Sequence, residues 1–218
     1  MLSIKTFLLR FIITGLLGGM VFPVHAGPPR PVVHVSGMEE YFDSGFSIYG
    51  GYTPGGDTLY ELSGSKLKAN GGYSYHMGYN MDFKTGRART ALQTAIGFRS
   101  SDIKEGNTEA RFGTIPVEFL GFYQARWLRL GGGLTYHFLP KFQVDGFLSS
   151  TDVDFKNQLG YVFAMEFFEK YTLFNWFLGF RYTFINYTPK YGAYLSDSGE
   201  EITEVDGSSA GIYFGAHF

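Results

Sequence analysis

From Tyr73 to Phe83 every second residue is large and apolar. Tyr73, Tyr75, Met77, Tyr79, Met81 and Phe83 share one face of an extended chain, and Ser74, His76, Gly78, Asn80 and Asp82 share the other. A period of two predicts a β-strand. The same alternation runs over Leu128–Phe138, Leu159–Phe167, Trp176–Phe184 and Ser209–Phe218, and more weakly over Phe42–Tyr52 and Leu92–Arg99. In Thr114–Tyr123 the charge at Glu118 sets the parity, placing Ile115, Val117, Phe119 and Tyr123 on the apolar face and leaving Leu120 and Phe122 on the polar one. Eight strands result. Long connectors (Thr53–Gly72, Ser100–Gly113, Leu139–Lys156, Tyr187–Gly207) alternate with short ones (Phe83–Arg89, Gln124–Arg126, Phe168–Asn175). An up-and-down barrel with all its long loops at one end requires that alternation.

Alternation alone does not say which face is inside, and a soluble barrel with an apolar pocket shares it. Volume separates the two. The apolar faces carry roughly three dozen large side chains, while an eight-stranded interior is just wide enough to be filled by side chains or one small ligand. The opposite faces are rich in Gly, Ser and Ala with a few charges, a composition that fits inside and would coat a soluble protein poorly. Lipid is therefore the expected outer solvent, and a closed barrel satisfies every backbone N–H and C=O there because it has no edge. The expected fold class is all-β, an eight-stranded antiparallel up-and-down transmembrane β-barrel.

Composition adds a compartment and removes some functions. Lys5 and Arg10 precede the apolar run Phe11–Phe22, which ends at Val24-His25-Ala26. This reads as a secretory signal peptide over residues 1–26, since the apolar stretch is shorter than the roughly 20 residues a spanning helix needs. Residues 27–38, with Pro28, Pro29 and Pro31, read as an extended periplasmic lead-in, and 39–218 as the barrel domain. A formal charge of −2 offers no basic field for nucleic acid, and the absence of cysteine removes disulfides, thiolate metal sites and a Cys nucleophile together. Aromatic residues make up 19% of the chain, an excess explained if Tyr and Trp line the two membrane interfaces. Trp127, Tyr171 and Trp176 are placed in a lower girdle, and Tyr52, Tyr73, Tyr136 and Tyr182 toward an upper one.

Several charges fall on the inward parity: Asp43, Asp82, Arg99, Glu118, Arg129, Glu166 and Arg181. Buried charges must pair. Arg129, near the start of the fifth strand, and Glu166, near the end of the sixth, are expected at similar depth on neighbouring strands, with Glu118 and Arg181 extending the set. Such a network plugs the lumen, or gates it if the pairs exchange to pass small ions. Gly179, on the same parity, is expected to tolerate serine.

Signal peptide, eight strands of this length, long outer loops, short inner turns and a terminal Phe218 after Ile212, Phe214 and Ala216 resemble the small outer-membrane barrels of Gram-negative bacteria, similar to the transmembrane domain of outer-membrane protein A and to outer-membrane protein X. The resemblance is one of pattern over nearly all of the mature chain. It implies an outer-membrane location, a C-terminal strand recognised by the barrel-assembly machinery, and roles in adhesion, envelope integrity or host contact. The expected partners are outer-membrane lipids, lipopolysaccharide and an extracellular ligand of unknown identity, on a monomeric barrel without cofactor or nucleic acid. A lipid A or phospholipid acyl-chain enzyme is the competing class, with a small-solute pore beside it. His76, His137 and His217 face inward and read as hydrogen-bonding filler. His34 with Ser36 sits in the lead-in, and His137 near Ser149 and Ser150 forms no specific catalytic pattern, so no enzyme activity is expected.

Overall fold

The computed structural model describes residues 34–35, 38–85, 88–125, 127–146, 150–171, 174–191, 194–195 and 201–218. The signal peptide and most of the lead-in lie outside the described residues; of the lead-in, His34–Val35 pairs back on Met38 and Glu39.

Eight long strands form the barrel: β1 (Met38–Thr53), β2 (Gly72–Thr85), β3 (Ala88–Glu105), β4 (Thr108–Gln124), β5 (Leu128–Asp145), β6 (Gln158–Tyr171), β7 (Phe174–Phe184) and β8 (Ser209–His217). Each pairs antiparallel with its sequence neighbours, and β8 closes on β1 through a register running from Ile212↔Tyr52 to His217↔Ser47. The N–H of Phe218 extends that seam by donating to the carbonyl of Phe46 at 2.8 Å.

The period-two parity holds around the closed wall. Phe46, Tyr75, Ile96, Phe119, Leu130, Phe163, Phe180 and Phe214 are exposed on the outside, while Tyr49, His76, Glu118, Arg129, Glu166, Phe177 and Tyr213 are buried inside. Leu120 and Phe122, the apolar residues left on the polar face of β4, also point inward and are buried. A continuous exposed belt of large apolar side chains around a closed barrel is stable only against hydrocarbon, so the barrel is membrane-spanning. At the short-turn end Trp127 stacks on Phe167 with ring centroids 5.6 Å apart, and Trp176 on Phe214 at 5.3 Å. At the other end Tyr52 and Tyr73 face each other in register, 5.3 Å apart, and Tyr136 and Tyr182 are exposed. The side chain of Tyr171 lies outside the described residues.

The long connectors differ from the loops that the alternation implies. Ser100–Gly113 is not a loop: β3 and β4 continue as one hairpin to Glu105↔Thr108, turned by Gly106 at φ +55°. Leu139–Lys156 continues β5 to Asp145, where it pairs with Ser150–Asp154. Within Thr53–Gly72 the strands Thr58–Leu62 and Ser65–Lys68 form a small hairpin across Ser63-Gly64, both at positive φ as a tight two-residue turn demands.

The missed strands have a physical cause. Between Gly113↔Lys141 and Ile115↔Phe138 β4 advances two residues while β5 advances three, a β-bulge with Leu139 at φ +49°. Below the bulge the even-numbered residues of β5 face out; above it Phe142 and Val144 face in and are buried. On β4 no residue is added, but the sequence itself changes phase, so that Ala110 and Phe112 are apolar on the inside. The wall turns from apolar-out to apolar-in where lipid gives way to water. Leu59, Leu67, Phe112, Phe142, Val153, Phe155, Ile185, Tyr187 and Val205 then pack into a core of their own above the lumen.

Candidate functional site

Two places concentrate unusual chemistry: the polar lumen and the cap at the long-connector end above it. Glycine opens room for the lumen. A Cβ at Gly179 would lie 2.3 Å from Cζ of Tyr213, and one at Gly97 would lie 2.5 Å from Nδ1 of His76. Large polar side chains therefore lie against bare backbone, which a serine at 179 would disrupt; the expected tolerance of serine there is corrected by this contact.

Arg129 and Glu166 are direct partners in the β5–β6 register, with Nη1 3.1 Å from Oε2. Both are buried. The hydroxyl of Tyr213 donates to Glu166 Oε1 at 3.0 Å, the Arg129 guanidinium lies 4.4 Å from the centroid of the Phe122 ring, and its Nη1 is 2.8 Å from Nε2 of His217. Higher in the lumen, Arg181 on β7 donates through Nη2 to Glu118 Oε1 at 2.6 Å, spanning the barrel to β4. Glu118 Oε2 accepts from the Tyr49 hydroxyl at 3.1 Å. The four charges thus form two pairs, each carboxylate capped by a tyrosine. Asp43 and Asp82 face each other across β1 and β2 near the short-turn end. Arg99 is buried too, but its hydrogen bonds go to the main-chain oxygen of Asn70 at 3.2 Å and to Asn70 Oδ1.

The alternation places Tyr49 and Tyr213 on the inward face, where they are buried, but assigns neither of them a carboxylate partner and says nothing of Asn70. The tyrosines stand on the small-residue face, where large side chains are exceptional, and that exception is the only signal they leave. Asn70 comes from a connector, with φ +55° and Nδ2 donating to Gly207 O and Ser209 Oγ.

The three inward histidines differ: His137 and His217 are within hydrogen-bond distance of a neighbour, whereas among the described residues neither ring nitrogen of His76 has a hydrogen-bond partner, which corrects the expectation of hydrogen-bonding filler there. His76 stacks on Tyr49 at 4.7 Å with an interplanar angle of 6°. Nδ1 of His137 is 2.7 Å from the Tyr187 hydroxyl, and Ser150 lies exposed in the cap. His217 stacks on Phe177 at 4.5 Å. The side chain of His34, with Ser36 and Ser149, lies outside the described residues. Among the described residues no group of three His, Asp or Glu is arranged to hold a metal ion.

The cap offers a different surface. Its turns at Ser63-Gly64 and Gly106-Asn107 are exposed, and so are Leu139 and Tyr191, with Lys190 Nζ 5.4 Å from the centre of the Tyr191 ring. Beside them the backbone ties 154–156 to 188–190, with Lys156 N donating to Thr188 O and Lys190 N to Asp154 O.

No known family model matches the chain, and no curated protein does. Solved structures similar to it include Neisserial surface protein A, with 12% identity over 81% of this chain and 97% of that one at a TM-score of 0.42. Another is Ail, the attachment invasion locus protein of Yersinia pestis, in complex with the heparin analogue sucrose octasulfate, with 13% identity over 82% and 98% at a TM-score of 0.48. The barrel fold of this chain stands on its own strand pairing and closure.

Proposed function

We propose that this protein is an outer-membrane β-barrel with a structural or surface-interaction role, carried by its folded outer cap and not by its lumen. The observation that carries the reading is the contrast between the two. The lumen is occupied by the pairs Arg129–Glu166 and Arg181–Glu118 together with the rings of Tyr49, Phe177 and Tyr213. The cap, by contrast, spends an apolar core on holding exposed turns and the Lys190–Tyr191 pair away from the membrane. A rigid platform with variable tips is how scaffolds present binding residues. The partners that fit are outer-membrane lipids and lipopolysaccharide around the belt, the barrel-assembly machinery during insertion, and an extracellular ligand at the cap of a monomeric barrel.

The test has two arms. The protein should fractionate with outer membranes, migrate anomalously on gels unless boiled, and show little steady conductance in planar bilayers. Variants with Gly106-Asn107 or Lys190-Tyr191 replaced should keep the gel shift while losing binding to cells or to lipopolysaccharide-containing vesicles. Recovery from the soluble periplasmic fraction would overturn the membrane reading, and a large steady conductance would overturn the plugged lumen.

A further inference from the structure

In the upper lumen one buried guanidinium has no carboxylate of its own, while the inward acids Asp43 and Asp82 stand at the short-turn end. Three guanidinium groups, Arg99, Arg129 and Arg181, and two carboxylates, Glu118 and Glu166, are buried along its length. Each carboxylate is engaged by its own arginine, Glu166 by Arg129 and Glu118 by Arg181. Arg99 is left with neutral partners. It is 1% exposed, and among the described residues no carboxylate lies within ion-pair distance of it. The acidic residues of the cap that could have served, Asp57, Glu61, Asp102, Glu105, Glu204 and Asp206, are all exposed.

The surroundings of Arg99 are built and not accidental. Nη1 donates to both oxygens of Asn70. Asn70 is fixed in turn by Gly207, by Ser209 and by the hydroxyl of Thr53, which donates to its main-chain oxygen at 2.8 Å. One edge of the guanidinium is thereby clamped. Among the described residues Nε has no hydrogen-bond partner, as is also true of Nε in Arg129 and Arg181, but those two guanidinium groups each hold a carboxylate. On the wall, Arg99 stands opposite Thr114, two residues along β4 from Pro116, which stands opposite His137. His137 and Arg99 therefore flank one strand on the inward parity, and Nδ1 of His137 is 2.7 Å from the Tyr187 hydroxyl.

We propose that the upper lumen binds one small inorganic anion, of the class of chloride, on the free edge of Arg99. Arginine cannot discharge itself by losing its proton, and an unpaired buried ion carries a large desolvation cost. Water satisfies an N–H donor but leaves the charge, whereas a monatomic anion answers both. Asn70, which already holds Nη1 of Arg99, is itself fully buried and leaves one edge of the guanidinium for a ligand, which favours a monatomic ion over a large oxyanion. Bound there, the anion ties the first outer connector, through Asn70, and the start of β8, through Ser209, to β3. It acts as a rivet between cap and barrel.

The full-length mature chain, refolded in detergent, tests this with halide as the probe. In chloride or bromide, against gluconate at equal ionic strength, the thermal midpoint of cap unfolding should rise with the logarithm of halide concentration once the site fills. Arg99→Gln should abolish that dependence. Crystals grown in bromide should show an anomalous peak beside the Arg99 guanidinium, a measurement that needs no variant to fold. Equal midpoints in halide and gluconate for the unaltered protein, or only water beside Arg99 in bromide crystals, would overturn the proposal.

Discussion

Arg129 and Glu166 stand directly opposite one another on β5 and β6, both buried, with Nη1 and Oε2 3.1 Å apart. Removing one partner leaves a buried charge alone, which costs about 3–5 kcal/mol, while replacing both with apolar groups of similar size can be nearly neutral. Arg129→Met and Glu166→Leu are each expected to cost in that range, and the double mutant clearly less than their sum. Urea unfolding in detergent, read as a double-mutant cycle, measures the coupling. Simple addition of the two single costs would show that the residues do not act as a pair.

On the outer belt, Phe163→Arg and Phe180→Arg place a guanidinium in hydrocarbon near the strand centres, with an expected cost of about 2–4 kcal/mol. The inward control is Thr135→Ser, which removes one buried methyl and should cost about 1 kcal/mol. Gly179→Ser is expected to be severe despite its small size, because Tyr213 occupies the space. Refolding in lipid vesicles with denaturant titration ranks the four.

Phe112 is fully buried, with Tyr187 and Phe155 ring centroids 5.4 Å and 6.3 Å from its own. Phe112→Ala should cost about 3–5 kcal/mol by the cavity it leaves. The loss is expected to be local: limited proteolysis should cut the cap faster while the boiled and unboiled gel positions stay distinct. Loss of the gel shift as well would mean that cap and barrel unfold as one unit.

Deleting Leu139 leaves two steps on each strand between Ile115↔Phe138 and Gly113↔Lys141, so the ladder becomes regular and neither pairing changes. Phe142 and Val144 keep their inward side. The variant is expected to insert as a barrel, to keep the boiled and unboiled gel positions distinct and to bind no more hydrophobic dye than the unaltered protein. A clear rise in dye binding would show that the cap core depends on the bulge itself and not only on the register above it.

How much of this was legible in the chain depends on which solvent each stretch meets. Within the membrane one face meets lipid and the other a crowded lumen, so size and polarity alternate with the strand period. The eight strands, their parity and the inward placement of Arg129, Glu166, Glu118 and Arg181 can be read residue by residue from that alternation. Above the membrane the outer solvent is water and the apolar face turns inward, by a phase change at Gly113 on β4 and by the Leu139 bulge on β5. An alternation expected to keep apolar residues outside ends there, and extended hairpins look like loops. Partner choice inside the lumen belongs to the tertiary structure as well. Glu118 meets Arg181 across the barrel, and Arg99 meets Asn70 from a connector, because closure and strand stagger bring together residues that are distant along the chain. Local sequence sets which way a side chain points; only the closed wall sets what it finds there.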